Sequence, residues 1–349
     1  MSSAAPDEER TTPLLAALDR VLLRLAPPHT GAAPHEGGEL PHELWKRALF
    51  GPAAEFLRRP GKEFRGRLTQ LVWRGVGGGA ELPHALPCIT ELLHAGSLIV
   101  DDVEDDSAQR RGAPALHKLV GAPLAINTGT WMYFWALSLI DELPLPEAVR
   151  GELSREAVAA MMRCHQGQAL DLSIHIGHVE PRHVPAAVAA TTRNKTGVLM
   201  GLAARIGAVA AGADRARTEA LARFGEELGV GLQMLDDLGS IAARARRDKG
   251  LEDLRDGRPT WPWAWLCGAV DELAVARLQQ RLRALALPGA SEHDADALMS
   301  VLRDAALPVG RAAVRGQLQR CLHDAAALLD PAAHLALEQE LARLEASYG

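Results

Sequence analysis

The sequence contains no CxxC pair. Its four cysteines, Cys88, Cys164, Cys267 and Cys321, stand far apart, which argues against a zinc site or a disulfide scaffold and reads them as buried thiols. Long hydrophobic runs are missing too: the most apolar stretch, Trp131 to Ile140, falls far short of the roughly 18 residues that a membrane span requires. Residues 1–40 show no basic start followed by an apolar core and a small-residue cleavage site, so no secretory signal is read and the cytoplasm is the default location. Positive charge is not in excess. Lys and Arg total 38 against 44 Asp and Glu, a net charge of −6, whereas a nucleic-acid binder normally carries a basic footprint, so no nucleic-acid partner is expected. Two-residue alternation of apolar and polar residues is almost absent, and no strand–turn–helix unit opens with GxGxxG, which disfavours a nucleotide-binding α/β sheet.

What remains is ordinary globular material, 48% hydrophobic and 23% charged, in a chain whose length gives a soft prior of about two domains. Residues 1–40 mix Pro, Gly, Ser and His, and only Leu14 to Leu25 is periodic, which predicts a loose tail around one short helix. From residue 41 the chain is rich in Ala and Leu, with apolar residues recurring three and four apart and Gly or Pro as punctuation. That pattern predicts a single all-α domain over 41–349, with loops at Ala210 to Arg217 and Pro288 to His293.

Two predicted helices end in acid. In Pro83 to Asp106, the residues Ile89, Leu92, Leu93, Gly96, Ile99 and Val100 fall on overlapping inward faces, and the carboxylates arrive at the C-terminal end, where the helix dipole disfavours them. From Glu219 to about Ile241, Phe224, Leu228, Leu232 and Leu235 make a stripe that ends at Asp236 and Asp237. Asp101 and Asp105, four apart, project from one helix face and can grip the same cation. Like charges about 4 Å apart repel by roughly 4 kcal/mol at an effective dielectric near 20, so the five carboxylates between Asp101 and Asp106 need compensation unless they form a solvated acidic face. Ligands that are all oxygen favour Mg²⁺, with Mn²⁺ next, and Mg²⁺ fills its shell with water and substrate phosphate, which implies a diphosphate ligand. Basic residues accompany the acids: Arg110 and Arg111 follow the first cluster, and Lys62 and Arg65 are spaced to share a helix face. His94, on the first acidic helix, reads as a ligand-binding or a satisfied core histidine.

The run from Leu92 to Ser107, with Arg110-Arg111-Gly112 and Pro114-Ala115-Leu116-His117 after it, resembles the first aspartate-rich region of trans-isoprenyl diphosphate synthases, most of all that of geranylgeranyl diphosphate synthases. Further blocks match in order: Gly61-Lys62 with Arg65, Gly167-Gln168 with Asp171, Lys195-Thr196-Gly197, and Gln233-Met234-Leu235-Asp236-Asp237 followed by Lys249 and Glu252-Asp253-Leu254. The resemblance implies a bundle of long helices around a deep cavity, a homodimer, and a prenyltransferase. By the same resemblance Asp101 and Asp105 are ligands for two Mg²⁺ and Asp236 for a third, with Asp102 and Asp237 in support. Arg110, Lys195, Thr196 and Gln233 match positions that hold the allylic diphosphate, with Gln168 and Lys249 beside them in the substrate site. Lys62, Arg65, His94 and Arg111 match the pocket for isopentenyl diphosphate.

Product length in this family depends on the wall below the first acids. Ser97 and Gly96, the fourth and fifth residues before Asp101, lie about 6 and 7.5 Å deeper along a helix. Both are small, and Tyr133 and Phe134, within the aromatic stretch Trp131 to Trp135, are candidates for the pocket floor, which implies a C20 product. The second region departs from the family's DDxxD by ending in Ser240, which carries no formal charge and weakens the expected third metal site. That departure keeps open a terpene cyclase on the same scaffold, and beside it a non-catalytic partner subunit. Trp261, Trp263 and Trp265 have no chemical assignment from sequence.

Overall fold

The computed structural model describes residues 42–79, 81–289 and 291–348, so the tail and short helix expected over 1–40 lie outside the described residues. The elements are helical almost throughout, as the three- and four-residue spacing predicts. Strands among the described residues are confined to Gln109–Arg110 and Ala113–Pro114. No described helix is long and apolar enough to cross a membrane. Cys88, Cys164 and Cys321 are buried thiols and Cys267 is half-buried. By internal contacts the chain divides into two compact units, one holding the residues up to Gln70 with Gly79–Ser154, the other holding Leu71–Gly78 with the residues from Arg155 onward.

The first unit contains helix α1 (Gly51–Leu57), most of α2 (Phe64–Gly75), α3 (Leu86–Glu104), α4 (Leu116–Val120) and α5 (Ala122–Asp141). In α3, Ile89, Leu92, Leu93, Gly96 and Ile99 are buried as their spacing predicts, while Val100 is half-buried. Burial of a Leu or Ile side chain contributes roughly 1.5–3 kcal/mol, so these four large side chains alone decide which face of α3 turns inward. Helices α3 and α5 meet backbone to backbone. A methyl group on Gly96 would lie 2.5 Å from the Gly129 carbonyl oxygen, and one on Gly129 would lie 2.9 Å from that of Gly96, so side-chain size at the contact sets the interhelical distance to its minimum. Beyond α3 the two strands pair antiparallel, Arg110 opposite Ala113. Arg111 (φ 54°) and Gly112 (φ 76°) both sit in the left-handed region, the geometry of the two-residue type I′ turn that matches strand twist.

The second unit contains most of α6 (Glu147–Ser173), then α7 (Val184–Thr192), a π-turn over Arg193–Gly197, α8 (Val198–Ala210), α9 (Arg215–Ala242), α10 (Arg247–Arg255), α11 (Trp261–Ala269), α12 (Glu272–Ala284), α13 (Glu292–Leu328) and α14 (Pro331–Tyr348). The sequence pattern predicts α9 from Glu219; it begins four residues earlier because the Asp214 side chain accepts the Arg217 N–H (2.8 Å), a cap the apolar periodicity does not register. Phe224, Leu228 and Leu235 of its stripe are buried and Leu232 is half-buried. The tryptophan stretch belongs to this core: Trp263 and Trp265 are buried, and the Trp265 ring covers Gly310 of α13, where a methyl group would lie 2.5 Å from it.

Candidate active site

Helix α3 ends where the acids begin. The Asp105 N–H donates to the Asp101 carbonyl (2.9 Å), so the two expected ligands stand one above the other across the final turn. Asp102 points the other way and is fully buried. Arg110, delivered by the ribbon, donates from Nε to Asp102 Oδ1 (2.7 Å) and places Nη2 3.3 Å from Asp101 Oδ2. Burial raises the Asp102 carboxyl above its ordinary range despite Arg110, and Asp102 Oδ2 has no hydrogen-bond partner. The chain leaves the cluster through Asp106, at φ 49°, whose carboxylate accepts from Lys118 Nζ (2.5 Å).

A cluster of basic side chains adjoins these residues within the same unit. Arg111 Nη1 donates to the Arg59 carbonyl (3.3 Å), and its guanidinium lies 5.4 Å over the Phe56 ring. The same guanidinium fills the space where a side chain at Gly61 would stand, about 3.0 Å away, which brings the Gly61-Lys62 block to Arg111. Lys62 is not on the helix face expected of it: α2 starts at Phe64, and Glu63 takes φ 49°. That left-handed residue breaks the helical register between Lys62 and Arg65. His94 is half-buried, and burial first, then the fields of Arg65, Arg111 and Arg110, drive its pKa well below the ordinary value. It is therefore neutral at neutral pH. Glu91, which sequence reading passed over, accepts the Gly66 N–H (2.8 Å) and is raised by burial against the pull of Arg65. A glutamate among the buried residues of α3 was the available signal.

Helix α3 separates the two positions expected to set product length. Gly96 faces α5, its absent methyl 2.8 Å from the Tyr133 ring, whereas Ser97, half-buried, is one turn below Asp101 on the Asp101 face. Phe134 is 70% exposed on α5 and is not brought together with Gly96, Ser97 or Tyr133.

The second unit gathers its own constellation. Thr196 Oγ1 donates to Gln233 Oε1 (3.1 Å), Gln233 Nε2 donates to Asp237 Oδ1 (2.8 Å), and the Trp261 backbone N–H donates to Asp237 Oδ2 (2.9 Å). Burial pushes the Asp237 carboxyl up to about 7. Lys195 Nζ donates to Asp171 Oδ2 (2.6 Å), and Arg258 Nη1 donates to the Asp171 carbonyl (3.2 Å). Lys195 and Thr196 are both presented by the π-turn, a helical irregularity that recurs at functional sites. It is seated against α6 at Gly167, where a methyl group would lie 2.3 Å from the Lys195 nitrogen. Gln168 follows directly on the same helix. Asp236 is held from both sides: Arg246 Nη2 donates to Oδ1 (2.6 Å) and Lys249 Nζ to Oδ2 (2.9 Å). Burial opposes ionisation of Asp236, but Lys249 and Arg246 outweigh it and hold the carboxyl below its usual range. Arg246 was not legible in the sequence, since it is brought to Asp236 by the irregular backbone between α9 and α10.

The first region suits a hard divalent cation. Its donors are oxygens, and Asp101 and Asp105 share a turn and a helix face; Mg²⁺ typically takes one or two carboxylates and completes its shell with water and phosphate. No cluster of three or more Asp, Glu, His or Cys ligands occurs among the described residues. The second region suits a third ion poorly, because cations already occupy both carboxylate oxygens of Asp236 and position 240 offers a hydroxyl.

Two acidic clusters at helix ends, each faced by arginine or lysine, with a basic pocket beside the first, define a diphosphate-handling helical enzyme of the isoprenoid-synthase type. The chain belongs to the polyprenyl synthetase family, whose sequence model matches residues 46–292, and so is a trans-isoprenyl diphosphate synthase, a prenyltransferase. It is 32% identical over 236 residues to the geranylgeranyl pyrophosphate synthase of Eremothecium gossypii, 65% of this chain and 73% of that one. The corresponding protein of Geoglobus acetivorans is 30% identical over 230 residues, 64% of this chain and 69% of that one. A decaprenyl diphosphate synthase structure from Rhodobacter capsulatus matches with a TM-score of 0.77 at 20% identity, covering 96% of each chain, a likeness of fold alone.

Proposed function

We propose that the protein condenses an allylic prenyl diphosphate with isopentenyl diphosphate, that geranylgeranyl diphosphate (C20) is the product, and that it works with Mg²⁺ as a cytoplasmic homodimer. The observation that carries this reading is the pocket of Arg65, Arg111 and His94 beside Gly61-Lys62. A cyclase ionises one substrate and has no use for a second diphosphate pocket. Residues 41–349 are taken as one functional domain, since neither compact unit alone contains both aspartate-rich regions.

In this reading Lys62, Arg65, Arg111 and neutral His94 bind the isopentenyl diphosphate, the arginines through paired N–H donors. Arg110, Lys195, Thr196 and Gln233 bind the allylic diphosphate. Mg²⁺, for which Mn²⁺ could substitute, would be held by Asp101 and Asp105 and supplies Lewis-acid stabilisation of the leaving group. As the allylic C–O bond breaks, its electron pair leaves with the diphosphate, whose charge the fixed cations receive without reorganisation. The double bond of isopentenyl diphosphate supplies the pair for the new C–C bond. Its adjacent carbon then gives up a proton to the departed diphosphate, and an alkene is restored.

Support for C20 comes from the names of the relatives near 30% identity and from the small Ser97 on the Asp101 face. Support for a homodimer comes from exposed apolar side chains: Ile126 (43%) and Phe134 (70%) on α5, and Val158 (49%) and Met162 (63%) one turn apart on α6. The test is incubation with Mg²⁺ and C5, C10, C15 or C20 allylic diphosphates, with and without isopentenyl diphosphate, and product identification by mass spectrometry. Products formed without isopentenyl diphosphate would instead mark a cyclase, and no turnover together with binding to an active homologue would mark a partner subunit. Ser97→Phe is expected to shift the product toward C15; an unchanged distribution would remove this wall as the determinant of length.

A further inference from the structure

At the second aspartate-rich region each carboxylate oxygen of Asp236 and Asp237 accepts from a donor of this chain. Asp236 Oδ1 accepts from Arg246 Nη2 and Oδ2 from Lys249 Nζ, at 2.6 and 2.9 Å. Asp237 Oδ1 accepts from Gln233 Nε2 and Oδ2 from the Trp261 N–H, at 2.8 and 2.9 Å. Ser240, where a further carboxylate is expected, is buried, and its hydroxyl donates to the Asp237 carbonyl (2.7 Å). The Ser240 carbonyl is in turn closed over by Gly250, whose absent methyl would lie 2.5 Å away. A divalent ion taking Asp236 as ligand would sit against both Arg246 and Lys249, with each a repulsion twice that between two unit charges at the same distance. Asp253 is the other carboxylate near Lys249 and Asp236.

Arg246 differs from Lys249 in shape. Its planar guanidinium offers donors in a fixed fork suited to phosphate oxygens. The guanidinium grips Asp236 twice, from Nη2 to Oδ1 (2.6 Å) and from Nη1 to the carbonyl (3.4 Å), and the side chain keeps 23% of its surface exposed to an approaching anion. We propose that Arg246, fixed in place by Asp236 and flanked by Lys249, binds the substrate diphosphate directly and stands where a third divalent ion would, so that this enzyme works with two ions. Asp236 then acts as a positioning residue for Arg246.

This inference rests on the prenyl-transfer reading of the site, and the experiment separates the two. The probes are Mn²⁺ and inorganic pyrophosphate with the full-length protein. Free Mn²⁺ is followed by its electron paramagnetic resonance signal, against a Mn²⁺–pyrophosphate control, and pyrophosphate binding by calorimetry. The unaltered protein is expected to take up two Mn²⁺ per chain with pyrophosphate. Arg246→Gln should weaken pyrophosphate about tenfold, the loss of one charge-assisted contact, with the ion count unchanged, and Arg246→Lys should recover part of the loss. Both variants are checked for native thermal unfolding. Three Mn²⁺ per chain in the unaltered protein, or pyrophosphate affinity within twofold of normal in Arg246→Gln, would overturn the inference and leave the prenyl-transfer reading standing. Failure of the unaltered protein to bind pyrophosphate at all would overturn both.

Discussion

The two aspartate-rich regions look alike in sequence and differ in how their charge is answered. In the first, one arginine, Arg110, serves two carboxylates, spends its closest contact on the buried Asp102, and touches Asp101 at 3.3 Å. Five acids crowd six positions there, so the cluster holds surplus negative charge. In the second, Asp236 and Asp237 face Arg246, Lys249, a glutamine amide and a backbone N–H, so each of their oxygens is answered by the chain itself, with Asp253 near Lys249. Similar motifs thus impose different demands on whatever binds, one calling for an added cation and the other not.

The sharpest way to break this comparison is to remove a ligand from each side. Asp101→Ala or Asp105→Ala should lower turnover by on the order of a thousandfold or more, as expected for lost ligands at the bond-breaking step. Asp236→Ala should cost on the order of tenfold, because Arg246 and Lys249 remain to meet the anion. Steady-state rates across Mg²⁺ concentrations measure both, and equal losses would erase the distinction.

A second contrast concerns folding. Arg110→Ala leaves the Asp102 carboxylate buried without its partner, and removing one member of a buried pair costs about 3 kcal/mol. Urea unfolding should show that loss in Arg110→Ala and a partial recovery in Arg110→Ala with Asp102→Asn. A third test asks whether the missing acid can be put back. Ser240→Asp would bury a carboxylate against Gly250 and lose the hydroxyl bond to Asp237, at a cost of about 1–3 kcal/mol. A lower melting temperature is therefore expected, without a gain in Mg²⁺ affinity; a gain at unchanged stability would show room for a third ion.

The smallest effect is one of pH and belongs to the first unit alone. The folded-state pKa of His94 is depressed, so the unfolded chain binds the extra proton first. The associated stability is fully present above the unfolded value near 6.5 and is lost as pH falls from there toward the folded value. His94→Gln should flatten the fall in unfolding free energy between about pH 7 and 5. Parallel curves for the two proteins would mean that the imidazole is not held neutral.

Much of this architecture was legible in the residues, for identifiable reasons. The inward face of α3 and the stripe of α9 follow from helical spacing, which is local. The acids and their first basic partners, Arg110 with Asp101 and Asp102 and Lys249 with Asp236, lie close enough in sequence to be read as motifs. The ribbon that delivers Arg110 was not visible, since its turn is Arg111-Gly112 and not one of the Asn-Gly or Asp-Gly pairs that announce a type I′ hairpin. A left-handed glutamate has no sequence mark, so the spacing of Lys62 and Arg65 suggests a shared helix face that Glu63 breaks. The tryptophans are intelligible only in the fold: Trp261 and Trp265 are one turn apart, their rings 6.2 Å from each other, Trp265 covers Gly310 of α13, and Trp263 is buried on the opposite helix face.

The glycine pair that joins α3 to α5 also divides the mutational freedom of α3 between two masters. A change at Gly96 must be accepted first by the Gly129 backbone, so that position is a hinge pin, and drift there endangers the fold before it can alter the cargo. Ser97, one step around the helix, carries no such duty. Under the proposed reading of product length, variation that spares the scaffold therefore falls to Ser97, one turn below Asp101. An engineer retuning this enzyme would turn the dial at Ser97 and leave the pin alone.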